Sequence, residues 1–290
     1  MAISDGSPLA PLPPCGGSAR SWWNRRRRQV IAVLALGVSY GAVYGNGIWT
    51  SLASVGDRNR VLVVPTRGVV PDIIYLQNAM AVVFAAFAAV AVVRVRPHVW
   101  VGQWPWAQDR RPSAPTVLGA VGAVLACYAL ADLVLIPLLQ RWHAMNGYAV
   151  DYSPVAAWAT AVQAGVGEEV IVLAVAVTVL RYLRVRPWVA LPVLVAMRLA
   201  YHLYYGVLGV WWLAPWAVVS AVVYWRWRDP RLLAALIVAH VICDMRGPLF
   251  GDRSGWVFGA AALVLLLGAA GADRMWWRAP ASYSTSLPVS

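Results

Sequence analysis

Lysine is absent from the 290 residues and glutamate occurs only twice, so a chain of formal net charge +12 carries all 24 basic side chains as arginine. Most of the arginines stand in short runs just beyond apolar stretches, the pattern of membrane anchoring and orientation. Binding to nucleic acid would call for a basic face with interleaved aromatics on a soluble domain, and the pattern argues against such a partner. Cysteine is equally scarce: Cys15, Cys127 and Cys243 lack metal-ligand spacing and imply no disulfide framework. No repeat of 20–50 residues occurs, and the two halves show no mutual similarity.

Apolar residues are abundant instead. They make up 61% of the chain, with a mean hydropathy of +0.63, which is far more hydrophobic surface than a soluble fold of this length needs. Lipid is the natural solvent for it. A helix needs about 20 predominantly apolar residues to cross a hydrocarbon core ~30 Å thick. Eight segments are read by that test: 30–50, 73–93, 115–138, 155–180, 188–209, 210–225, 232–250 and 255–271. The expected fold class is therefore all-α, a polytopic transmembrane helix bundle of about eight spans. The sixth and eighth segments are short, and the sixth carries Pro215, so a seven-span count is the alternative.

Residues 1–28 are rich in Pro, Gly and Ser and end in Arg25, Arg26, Arg27 and Arg28, a composition that reads as a disordered basic cytoplasmic tail. Residues 29–272 form the expected transmembrane domain, and 273–290 a second cytoplasmic tail. With both ends inside, Arg94, Arg96, Arg110, Arg111, Arg181, Arg184, Arg186, Arg226, Arg228, Arg231, Arg274 and Arg278 share the cytoplasmic face. The opposite face keeps Arg58, Arg60, Arg67, Arg141 and Arg253, with Arg246 near its boundary. The tryptophans, including Trp211, Trp212, Trp225 and Trp227, read as an interfacial belt.

The two glutamates, Glu168 and Glu169, are adjacent at the centre of the fourth segment. An ionisable residue at a helix centre costs about 2.5–3.5 kcal/mol to insert, so the pair requires internal partners or neutralisation. Neighbouring helical residues point about 100° apart, which assigns the two carboxylates different tasks. His202 follows Arg198 by one turn in the fifth segment, and His240 precedes Asp244 by one turn in the seventh. Glu168, His202 and His240 all fall near mid-span, so one carboxylate and two imidazoles converge if the three helices pack together. Two chemistries fit. In one, Glu168 takes a proton from water held by His202, while His240 and Asp244 stabilise the oxyanion, and no metal is required. In the other, Glu168, His202 and His240 form a three-ligand open zinc site, although the helical His-Glu-x-x-His signature is missing. Asp132, in the third segment, reads as a helix-helix contact.

The ordered elements Glu168-Glu169, Arg198-x-x-x-His202 and His240-x-x-x-Asp244 resemble the three motifs of the CPBP family, the CAAX-protease and bacteriocin-processing (Abi) intramembrane proteases. The resemblance covers about residues 150–250. The wording Gly-Glu-Glu-Val, Tyr-His-Leu-Tyr and Ala-His-Val-Ile-Cys-Asp is close to bacterial members, particularly actinobacterial ones. It implies a membrane endopeptidase in which Glu168 and His202 activate water and His240 and Asp244 form the oxyanion site, with Glu169 in the same motif. Family members are described both as metalloproteases and as glutamate-dependent enzymes, and the reading preferred here needs no cofactor. Two positions depart from the pattern. Leu173 stands where the family usually has an arginine, and Arg198 where it usually has an aromatic. Arg198 is expected to supply the missing charge from a neighbouring helix, pairing with Glu169.

The expected function is hydrolysis of a peptide bond in a membrane-associated peptide or protein, within a multi-pass protein whose partners are that substrate and the bilayer. A proton-coupled transporter using the same carboxylates, and a non-catalytic scaffold or immunity protein on the same fold, are the competing readings. The first calls for inverted repeats and broken helices around the site, which the chain does not clearly show.

Overall fold

The computed structural model describes residues 19–54, 62–63, 112–144, 148–149 and 154–278. These form a helical bundle, with one parallel bridge in which β1 (Leu62–Val63) pairs with β2 (Tyr148–Ala149). The expected 73–93 segment lies outside the described residues, as do several of the arginines used to orient the chain.

The first helix, α1 (Ala19–Ser54), begins inside the stretch read as a disordered tail. The prolines and glycines of that stretch precede position 18, whereas arginine is a good helix former, so the arginine run joins the helix. α2 covers Ala114–Arg141. The Ser113 hydroxyl caps it by accepting from the Thr116 N–H at 3.3 Å. Its ladder widens to a π turn over Ala131–Leu135. Pro137 follows directly, and its missing N–H removes a donor that a regular ladder would use.

α3 is one continuous run made of Pro154–Gly167, a π-helical stretch Glu168–Val175 and Ala176–Tyr182. All eight residues of the π stretch are buried, making it the centre of the bundle. α4 (Pro187–Ala200) leads into two 3₁₀ turns, Leu203–Tyr205 and Gly209–Leu213, and then α5 (Ala214–Trp227). α6 (Pro230–Asp244) starts at Asp229, whose carboxylate accepts from the Arg231 N–H at 2.8 Å. The short α7 (Arg246–Phe250) and a turn at Gly251 (φ 54°) connect to α8 (Ser254–Arg278).

Among the described residues three helices are long and apolar enough to cross a membrane, Ala114–Arg141, Ala157–Tyr182 and Arg246–Ala272, and a fourth if the bent α1 is one span. The segment read as 188–209 is helical only to Ala200. At 1.5 Å per residue its 14 residues rise about 21 Å, less than a ~30 Å core. Past Ala200 the chain turns at Tyr201 and His202, Gly206 at φ 93° ends the 3₁₀ turn that follows, and regular helix resumes at Ala214. His202 therefore sits in a turn and not at mid-helix. The segment read as 232–250 likewise breaks at Met245, after Asp244. The eighth segment, read as short, is a 25-residue helix.

Small residues set the helix spacing, as expected where lipid supplies no hydrophobic drive between helices. Gly122 of α2 faces Leu265, Leu266 and the Ala262 carbonyl of α8. Gly165 of α3 lies against the α6 backbone, where a Cβ would stand 2.6 Å from Val241 Cγ2 and 3.1 Å from the Ile237 carbonyl. Gly165→Leu is expected to force this crossing apart and destabilise the protein by about 2 kcal/mol or more. A thermal midpoint in detergent equal to that of the wild type would show that α3 and α6 do not depend on that approach.

Candidate active site

Glu169 is fully buried in the widened part of α3, and its Oε1 is the hub of the site. It accepts from Arg198 Nη1 at 2.9 Å and from His240 Nδ1 at 2.9 Å, which joins α3, α4 and α6 at one atom. The Arg198 guanidinium is 1% exposed and lies 4.0 Å above the Trp216 ring. The same indole also meets the His240 ring, edge to face at 4.6 Å. One aromatic plate from α5 thus backs both partners of Glu169. A carboxylate paired with arginine is an acceptor, so His240 donates from Nδ1, and with Nε2 turned toward two further carboxylates the ring carries a hydrogen on both nitrogens.

That second nitrogen faces Glu168 Oε2 at 3.8 Å and Asp244 Oδ2 at 3.5 Å. The other oxygen of Glu168, Oε1, faces His202 Nε2 at 3.8 Å. His202 Nδ1 lies 2.9 Å from the Arg198 carbonyl, an acceptor, which assigns it the hydrogen and leaves the Nε2 lone pair toward Glu168. The turn after Ala200 makes this possible, because it frees both the carbonyl and the ring from the helical ladder. At 3.8 Å the Glu168 contacts are too long for direct hydrogen bonds, and a shared water is the species that bridges such gaps.

All these groups except Glu169 and Arg198 border one cavity of about 630 Å³. Its wall includes Tyr44 from α1, Tyr128 from α2, Thr160 and Gln163 from α3, Tyr201, Tyr204, Tyr205 and Trp212 from the turns, and Arg246 and Ser254 beyond α6. The structure thus brings Glu168, Glu169, Arg198, His202, His240 and Asp244 into one cluster. The two carboxylates point to opposite sides of the same imidazole, Glu169 bonded to Nδ1 and Glu168 facing Nε2 at 3.8 Å. Leu173, at the position that departs from the family pattern, is packed in the apolar core at 1% exposure, and the guanidinium comes from Arg198. Asp132 bonds across helices as expected, to the Ser254 hydroxyl at 2.8 Å and to Arg246 Nε at 3.3 Å.

Sequence reasoning missed Trp216 and Tyr44. It also placed Trp212 and Trp225 in an interfacial belt, whereas they are 5% and 4% exposed and fill the core. Tryptophan spacing cannot distinguish a lipid-facing ring from one that backs an ion pair. Among the described residues no group of three His, Cys, Asp or Glu side chains is arranged to hold a metal ion, so the zinc set Glu168, His202 and His240 is not assembled as ligands. Nδ1 of both histidines is held, by Arg198 O and by Glu169, which leaves the two Nε2 atoms as the nitrogens that face Glu168.

Carboxylates and imidazoles gather at a cavity inside apolar helices, an arrangement able to move protons or activate water within a membrane protein. The family model described as Type II CAAX prenyl endopeptidase Rce1-like matches residues 151–246, about a third of the chain, and that stretch is similar to the CAAX-protease, or CPBP, family. All six clustered residues lie in the matched stretch, whereas Tyr44, Tyr128 and Ser254 lie outside it. No curated protein and no solved structure matches the chain.

Removing one partner of a buried ion pair costs about 3–5 kcal/mol, because the other charge is left unpaired. Arg198→Leu is therefore expected to lower the thermal midpoint sharply, while Arg198→Leu combined with Glu169→Leu recovers much of the stability without recovering activity. A stable, active Arg198→Leu protein would show that the pair is dispensable.

Proposed function

We propose that the protein is an intramembrane endopeptidase in which Glu168 and His202 activate water for attack on a peptide bond of a membrane-associated peptide or protein. The observation that carries this reading is the facing of Glu168 by two imidazole Nε2 atoms, both at 3.8 Å, at the wall of one cavity. A water shared by Glu168 Oε1 and His202 Nε2 donates a hydrogen to each, which turns an oxygen lone pair toward the substrate carbonyl. Glu168 takes the proton as the carbon–oxygen bond forms and passes it to the leaving amine. His240, oriented through Nδ1 by Glu169, presents Nε2 on the side where negative charge develops, next to Asp244. Glu169 and Arg198 position His240 and do not meet the substrate. No step passes through a metal ion.

The family description names a CAAX prenyl endopeptidase, and a site set within apolar helices suits a chain end carried on a lipid anchor. We further propose a multi-pass arrangement with both termini cytoplasmic, on the strength of the arginine asymmetry.

Peptide termini compared between membranes holding the wild-type protein and membranes holding Glu168→Gln test the reading even while the substrate is unidentified. Products unique to the wild type are expected, since loss of a general base costs roughly 10²–10⁴-fold in rate. Identical termini at equal expression would favour a transporter or a scaffold. Cleavage is expected to survive treatment with a strong zinc chelator; loss of cleavage that added zinc restores would reinstate the metal-dependent reading.

A further inference from the structure

Tyr44 and Tyr201 carry two hydroxyls that the water-activation scheme does not use. Tyr44 comes from α1, far from the matched stretch, and Tyr201 is the residue that ends α4, immediately before His202. Their rings stack at 4.3 Å with only 19° between planes, and the Tyr201 ring also lies 4.4 Å from that of His202. The side chains are 6% and 5% exposed, and neither hydroxyl has a hydrogen-bond partner of full geometry. Both border the cavity that Glu168 borders. The Tyr201 hydroxyl faces the Glu168 carboxylate, and the Tyr44 hydroxyl also feels its charge. The Tyr44 oxygen passes over Gly167, 3.2 Å from where a Cβ would stand, next to Glu168 in sequence.

Leaving the Tyr44 hydroxyl unpaired in a buried site is costly, and such a group persists where something arrives to use it. An oxyanion needs donors. Of the His240–Asp244 pair only His240 supplies one, because an ionised Asp244 is an acceptor alone. From the stacked rings at the wall shared with Glu168, with Tyr44 unpartnered and Tyr201 facing the carboxylate that takes up the proton, we infer that Tyr44 and Tyr201 donate hydrogen bonds to the tetrahedral oxyanion, completing with His240 Nε2 the set of donors around it. No proton is transferred: each O–H shortens toward the oxygen as the carbonyl double bond opens and lets go as it re-forms. The inference rests on the endopeptidase reading above. It makes α1, a helix outside the family match, a contributor to the reaction.

The test uses the full-length protein in lipid nanodiscs and a quenched fluorogenic peptide ending in a farnesylated cysteine and three further residues, together with the membrane-terminus comparison. Tyr44→Phe and Tyr201→Phe each remove one oxygen and keep the stack. Each is expected to lower kcat by roughly 10²–10³-fold, the range for losing one oxyanion donor, with KM little changed. For Tyr44→Phe the thermal midpoint is expected to hold or rise, because an unpaired buried hydroxyl is being deleted. Variants that keep kcat within twofold while Glu168→Gln is inactive would overturn the tyrosine assignment and leave the endopeptidase intact. A rise in KM alone would also overturn it, by showing ground-state binding. If wild type and Glu168→Gln behave alike on the peptide and in membranes, the endopeptidase reading itself falls, and the tyrosine assignment with it.

Discussion

The buried contact between Arg198 and Glu169 is the interaction on which the rest of the site depends. In a low-dielectric interior neither charge is tolerable alone, so helices α3 and α4 are held together by the need to keep each other's ion paired. The same carboxylate oxygen then orients His240 on α6, so three helices acquire their relative rotation from a single atom. Trp216 closes the arrangement from α5 by covering the guanidinium face and the imidazole edge at once. An apolar core would hold the helices as well, but it would not decide which imidazole nitrogen faces the cavity.

Departures from regular α-helix coincide with the chemistry. The carboxylates open the π-helical stretch of α3, His202 occupies the turn between α4 and a 3₁₀ segment, and Asp132 begins the widened part of α2. Widened turns are often found at functional sites because they release backbone groups and redirect side chains by amounts a regular helix cannot supply. Here the redirection lets two consecutive glutamates reach opposite nitrogens of one ring. It also puts the Arg198 carbonyl where it can hold the His202 tautomer.

Much of this was legible in the amino-acid order. Hydropathy identified an all-helical membrane bundle, because the insertion cost of charge leaves long arginine-free stretches. The two glutamates and the two histidines on later segments stood out because each is expensive where it lies. The end of α4 was not legible: Tyr-His-Leu-Tyr-Tyr is as apolar and aromatic as a helix interior, and only the backbone turn at Tyr201 and His202 reveals the stop. Tyr44 was invisible for another reason. It lies more than 100 residues before the first motif, and nothing local marks one tyrosine of an exposed helix as part of a distant cavity. The tryptophans misled because the same residue serves the lipid boundary and the packed core.

Gly165 places α3 against the α6 backbone three positions before Glu168, with no room there for a side chain. The contact is a fixed point from which the carboxylates are aimed. Adding or removing one residue between them would turn both glutamates by about 100° away from their imidazoles while leaving every apolar contact before the crossing in place. The length of Gly165-Val166-Gly167 therefore carries as much information as its composition. Drift in this stretch is open to substitution at Val166 and closed to any change in spacing.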